Sequence, residues 1–171
     1  MESILIGKPM TTLSSYASEV AAILKARKDT LGIAESSTGG LISASLLAVA
    51  GASAYFLGGT VIYTLRARRD LLGLEQATID RQTPLTDAYV ALCADAIRER
   101  LGATWGLAEL GATGPAGTSY GHPPGICVLA VSGPVKLTRR LETGSPDREA
   151  NMYTFMRAGI ELLHEALDQC R

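Results

Sequence analysis

Two stretches of the sequence hold residues whose types and spacing suit chemistry. The first reads Ala34-Glu35-Ser36-Ser37-Thr38-Gly39-Gly40 and closes an apolar run. Hydroxyls and glycines between a strand and a helix place a nucleophile beside the free N–H groups of the helix's first turn, which attract phosphate or a developing oxyanion. The same residues also suit a plain helix start, with Ser36, Ser37 or Thr38 as N-cap and the glycines turning the chain. The second stretch, residues 111–125, holds five glycines and three prolines. A long ordered loop of that kind in a compact domain is usually functional.

Several standard sites are missing. There is no Gly-x-x-x-x-Gly-Lys-Ser/Thr loop, and no Gly-x-Gly-x-x-Gly follows a strand. Ala34 and Thr38 flank Ser36 where a nucleophile elbow needs glycines. His122 and His164 are the two histidines, so a Ser-His-Asp triad would have to recruit His122 from the glycine loop. Tyr63, Arg66 and Arg68 follow the next strand, and an arginine holds an anion better than it accepts a proton.

The elements that must position these groups follow from periodicity. Apolar residues at helical spacing predict a helix over 13–28, and 30–34 reads as a strand. A helix over 41–49 follows the serine motif. The β-branched and aromatic run 60–63 predicts a buried strand, and 64–72 turns helical. Residues 74–84 read as turns. A helix over 84–101 is expected, with Thr83 as cap and Pro84 in its first position. Strands are expected at 105–110, 126–131 and, along an edge, 135–142, before a last helix over 147–168. Residues 1–11 read as a short lead-in. This order predicts a three-layer α/β/α sandwich with a mixed sheet, since the last strands follow each other without a helix.

Composition narrows the function classes. The 171 residues suit one domain over 1–171 with a core of about 13–168. A net charge of −1, from 16 basic and 17 acidic residues, gives no general field for nucleic acid or an anionic membrane. Cys93, Cys127 and Cys170 are widely spaced and odd in number, which suits a reducing compartment and neither a disulfide framework nor a zinc site. No apolar run reaches the roughly 18 residues of a membrane span, and no signal-peptide pattern opens the sequence. A cytoplasmic protein is expected.

Taken together, the motifs resemble the C-terminal domain of the competence/damage-inducible protein CinA and its stand-alone relatives, the nicotinamide mononucleotide amidohydrolases. Residues 34–40 match the family's Ala-Glu-Ser-Cys-Thr-Gly-Gly, and 51–59 resemble its Gly-Ser-Ser-Ala-Tyr-Phe and the strand after it. Residues 63–68 lie where the family has Tyr-Ser-Asn-Glu-Ala-Lys. Residues 111–115 and 123–125 resemble Gly-Ile-Ala-Gly-Pro and Pro-Val-Gly, and Asp147-Arg148 resembles the pair before the last helix. The resemblance covers residues 13–167. It implies hydrolysis of the carboxamide of nicotinamide mononucleotide to nicotinate mononucleotide and ammonia, with no metal and no cofactor. Ser36, Tyr63 and Arg68 would be the catalytic residues. Thr38, Gly39, Gly40, Gly114, Gly117, His122 and Arg148 would bind substrate, the backbone around Thr38 to Gly40 receiving the oxyanion. A homodimer is also implied. The sequence departs from the family at Arg68 (a lysine there), Leu110 (a serine or threonine), His122 (a lysine) and Met152 (a basic residue). The alternative is therefore an impaired member that binds a nucleotide or anion without turnover.

Overall fold

The computed structural model describes residues 12–170. The lead-in expected over 1–11 lies outside them. Helix α1 (Leu13–Arg27) leads to β1 (Leu31–Glu35), α2 (Leu41–Leu47) and a 3-10 turn at Ala52–Ala54. Then come β2 (Phe56–Val61), α3 (Leu65–Leu72), the short α4 (Gln76–Ile79) and α5 (Asp87–Leu101). The chain ends on β3 (Trp105–Ala112), β4 (Ile126–Ser132), β5 (Leu137–Glu142) and α6 (Arg148–Asp168). Among the described residues no helix is long and apolar enough to cross a membrane.

The sheet runs β2-β1-β3-β4-β5. The pairs β1·β2 and β1·β3 are parallel, and β3·β4 and β4·β5 antiparallel. The mixed sheet expected from the sequence is present, because the β3-β4-β5 meander needs no crossover helix. Strands β1 and β4 are buried along their whole length, whereas β2 and β5 alternate as edges do.

Two apolar layers sandwich the sheet. On one face Leu24, Ile42, Leu46, Phe155 and Leu163 of α1, α2 and α6 pack against Leu31, Ile33, Trp105 and Leu129. On the other, Leu72, Tyr89, Val90 and Ile97 of α3 and α5 cover Ile62, Leu110 and Val128. Gly106 shows how close the second layer comes. A Cβ built there would lie 2.2 Å from the Ala94 carbonyl oxygen and 2.8 Å from Arg98 Cβ. Gly106→Ala must therefore push α5 off β3, and a loss of about 2 to 3 kcal/mol is expected, read as a lower urea midpoint at unchanged slope.

Three differences from the sequence reading exceed two residues. Strand β2 starts at Phe56, ahead of the expected 60–63, and runs through Gly58-Gly59. A Cβ at Gly59 would meet Ser43 Oγ at 2.4 Å, so glycine lets α2 lie against this edge. Helix α5 starts at Asp87, capped by the Thr86 hydroxyl accepting from Tyr89 N–H, and not at Pro84 under Thr83. Leu85 lies between them at φ 53°, which no continuous helix allows. The turn-like 74–84 segment holds the one-turn helix α4.

The parallel strands β1, β2 and β3 all end at one edge of the sheet. The chain leaves β1 towards β2 on one side and reaches β3 on the other, so the crevice beyond β1 and β3 is a topological switch point.

Candidate active site

At that crevice β1 and β3 are in register, and their pairing sets Glu35 beside Glu109. Both side chains are fully buried. Glu35 Oε2 accepts from the Thr38 hydroxyl (2.6 Å), Gly40 N–H (2.9 Å) and Ile42 N–H (3.1 Å). Its Oε1 accepts from the N–H (3.0 Å) and hydroxyl (2.7 Å) of Ser43. The carboxylate thus caps α2 from within, meeting the orphan amides and positive end of that helix.

Glu109 grips the turn before the helix. Its Oε2 accepts from Ser36 N–H (2.9 Å), Thr38 N–H (3.1 Å) and the Thr38 hydroxyl (3.1 Å). Its Oε1 is hydrogen-bonded to the Ser37 hydroxyl and lies 3.9 Å from Cys127 Sγ. Burial pushes the Glu109 carboxyl above its ordinary range, against the lowering effect of the donors from Ser37, Thr38 and Ser36. Burial and then the nearby Glu109 also push up the Cys127 thiol.

This accounts for the amides at the corner. Thr38 N–H serves Glu109, Gly40 N–H serves Glu35, and Gly39 N–H bonds to the Ser36 carbonyl at 3.3 Å. Gly39 and Gly40 sit at φ +64° and +106°, the turn that swings α2 over the glutamates. Thr38, Gly39 and Gly40 therefore build the corner, and their N–H groups point at protein acceptors rather than into the crevice. The oxyanion donors expected there are already committed.

Ser36 differs from its neighbours. Among the described residues only its backbone is hydrogen-bonded, and its side chain lines a cavity of about 230 Å³ with Tyr63, Arg68, Leu110 and Tyr120. A second cavity of about 230 Å³ is lined by Ser37, Gly114, Gly117 and Arg148. Tyr63, Gly111 and Thr118 line both, so the two form one cleft with two lobes.

Each cation is held differently. Thr64 caps α3 by accepting from Ala67 N–H, which turns Arg66 outward to Asp70 and Arg68 inward. Arg68 Nε donates to the Ile62 carbonyl at 3.3 Å, and its guanidinium lies 4.9 Å from the Tyr89 ring centre. Arg148 opens α6 after its cap Asp147 and donates to the Gly114 carbonyl (2.6 Å) and the Tyr63 hydroxyl (3.4 Å). The structure thus joins Ser36, Tyr63, Arg68, Gly114, Gly117 and Arg148 around one cleft. His122 stands apart, because it closes the loop tip through its backbone with Thr118 and lines neither lobe.

Two residues that the sequence reading passes over hold the site. Glu109 is one, and its signal is a lone acid inside an otherwise apolar strand. Asn151 is the other, buried in α6. Its amide donates to the carbonyls of Thr113 (2.9 Å) and Ser145 (2.8 Å), and its Oδ1 accepts from Thr143 (2.7 Å), which ties the glycine loop to the helix. Among the described residues no three His, Cys, Asp or Glu side chains are grouped to hold a metal ion.

A three-layer α/β domain with a serine at the carboxyl edge of its sheet and a glycine loop opposite defines the class. Residues 13–167 match the family profile described as the CinA C-terminal domain, and the chain belongs to that family. A CinA-like protein of Parasynechococcus marenigrum is 42% identical over 124 residues, 72% of this chain and 30% of that protein. One from Desulfosudis oleivorans is 35% identical over 150 residues, 87% of this chain and 36% of that protein. The chain thus spans about a third of the length of these relatives. Among solved structures, a CinA superfamily protein of Klebsiella pneumoniae superposes with a TM-score of 0.85 at 29% identity, over 93% of this chain and 99% of that one. The competence damage-inducible protein A of another Klebsiella pneumoniae strain gives 0.86 at 28%, over 94% and 100%.

Proposed function

We propose that this chain is an amidohydrolase that converts the carboxamide of nicotinamide mononucleotide to the carboxylate, releasing ammonia, with Ser36 as nucleophile. The observation that carries this reading is the Ser36 side chain, whose hydroxyl is not hydrogen-bonded among the described residues and which lines a two-lobed cleft. One lobe suits the reacting ring, and the other, with the glycine loop and Arg148, suits the phosphate. Ser36 Oγ adds to the amide carbon, ammonia leaves, and water then hydrolyses the ester. Tyr63 lines both lobes and is the hydroxyl available to pass the proton, while Arg68 steadies negative charge beside the reacting carbon.

A second reading is favoured by two observations. The α2 amides are spent on Glu35 and Glu109, and Arg68 is tied to Ile62 and Tyr89. On this reading the cleft binds the mononucleotide and does not turn it over. Ammonia release by the purified chain, beside Ser36→Ala, separates the two. No release above the variant, with thermal stabilisation by the mononucleotide in both, leaves binding alone.

Arg148 provides a check on orientation. Arg148→Met removes a charged donor from the glycine-loop lobe, and KM for the mononucleotide is expected to rise about tenfold or more. KM for nicotinamide riboside, which lacks the phosphate, should be the same in both proteins, whatever the loss of the Arg148–Tyr63 bond does to kcat. Equal rises in KM for the two substrates would take the phosphate away from this lobe.

A further inference from the structure

Glu109 is the buried group at the site that the proposed chemistry leaves unused. Glu35 cannot take over its partners, because five donors already occupy that carboxylate. Without Glu109, the N–H groups of Ser36 and Thr38 and the hydroxyl of Ser37 would have no acceptor where they stand. The acid also sits on an internal strand, since at Glu109 β3 is paired with β1 on one side and β4 on the other. Room for it is made by Gly111, where a Cβ would lie 2.8 Å from Glu109 Oε1 and 2.4 Å from Ser37 Oγ.

From this we infer that Glu109 is a positioning residue for Ser36: it grips the corner from behind, through Ser36 N–H, Thr38 N–H and the Ser37 hydroxyl, and so fixes the direction in which Ser36 Oγ enters the cleft. The inference rests on Ser36 being the nucleophile. The geometry gives it a specific character. A hydrogen bond to the backbone N–H of a residue restrains its peptide plane, and with it the Cα–Cβ bond that aims the side chain. Two such ties, at Ser36 and Thr38, with the Ser37 hydroxyl bond between them, leave the corner one orientation.

The role is one of hydrogen bonding and needs no counter-charge. Facing Glu109 are the Glu35 carboxyl from β1 and the Cys127 thiol from β4, and among the described residues neither glutamate has an ion-pair partner. Glutamine keeps the shape and a carbonyl oxygen for the two N–H groups, and its amide nitrogen can donate to the Ser37 oxygen in place of the bond that Ser37 donates to Glu109. Leucine has similar bulk and reproduces none of it.

The test compares Glu109→Gln and Glu109→Leu in the full chain, each checked for folding by circular dichroism. In the glutamine variant kcat should recover to within about threefold of the parent, and in the leucine variant it should fall about fiftyfold or more with KM within about threefold. Amide exchange at Ser36 and Thr38 should quicken by about tenfold in the leucine variant alone. Unchanged kcat and exchange in the leucine variant would overturn the inference. So would a glutamine variant as damaged as leucine, or a loss carried by KM. If leucine prevents folding, glutamine still decides, because a kcat far below the parent's in that isosteric variant refutes the role. If the parent itself releases no ammonia, the amidase reading fails separately. Alkylation of Ser36→Cys by iodoacetamide, followed at that peptide, then decides the clamp. A rate matched by adding Glu109→Gln and changed about tenfold in either direction by Glu109→Leu supports it, and the same rate in all three overturns it.

Discussion

Ser36→Ala is expected to cut ammonia release from nicotinamide mononucleotide by about a thousandfold or more, with little change in affinity for the mononucleotide. The size follows from what the side chain does. Ser36 is not hydrogen-bonded through its hydroxyl to any described residue, so its loss removes no internal bond and costs the fold little. The hydroxyl would matter to the bond-forming step alone, and ground-state binding should persist through the glycine-loop lobe. A single-turnover measurement with saturating mononucleotide reads the difference directly. Equal ammonia release by the two proteins would remove Ser36 from the chemistry and move attention to Tyr63. Arg68→Lys belongs in the same experiment. It exchanges a guanidinium held over Tyr89 for an amine able to accept a proton, and a faster rate would mark proton transfer as the step that limits the parent.

Much of this site is legible in the sequence because its parts mark the ends of elements. Ser36 follows β1, Tyr63 follows β2, the glycine loop follows β3 and Arg148 begins α6, and a parallel sheet brings strand ends together at one edge. What the sequence hides is the use of the amides. Hydroxyls and glycines before a helix read as a place for an outside anion, and here the chain supplies two carboxyls of its own. That substitution depends on β1 and β3 being parallel and in register, which sets Glu35 beside Glu109 across residues far apart in the chain. No local pattern encodes such a register. The α5 boundary is hidden for a different reason. Thr83-Pro84 and Thr86-Asp87 are both good helix starts, and the choice falls to the second because Leu85 takes φ 53° and tucks into the core. His122 sits in a loop rich in glycine and looks like a base by type alone, yet the loop uses its backbone.

Glu109→Leu is expected to lower the stability of the fold by about 4 kcal/mol, a fall in melting temperature of roughly 10 °C for a domain of this size. Leucine adds apolar surface to the core and removes the cost of burying an acid, which taken alone would stabilise. Three donors nevertheless stay behind in a dry site, and each orphaned one costs about 1 to 3 kcal/mol. The donors win because the corner cannot turn them to water without undoing the cap that Glu35 places on α2. Glu109→Gln keeps the partners and removes the titration, so it isolates the effect of pH. Because burial raises this carboxyl in the folded protein above its ordinary 4.5, the folded chain retains a proton that the unfolded chain has released. The resulting stabilisation is complete below the unfolded value and is lost as pH rises through the folded one. From pH 4.5 upward the parent should therefore lose stability relative to Glu109→Gln, by at most about 1.4 kcal/mol per pH unit, until Glu109 itself ionises. Groups away from Glu109 are common to both proteins and cancel in the difference. Urea midpoints of the two proteins between about pH 4 and 8 give the curve, and parallel profiles would mean that Glu109 sits in the fold as an ordinary carboxylate.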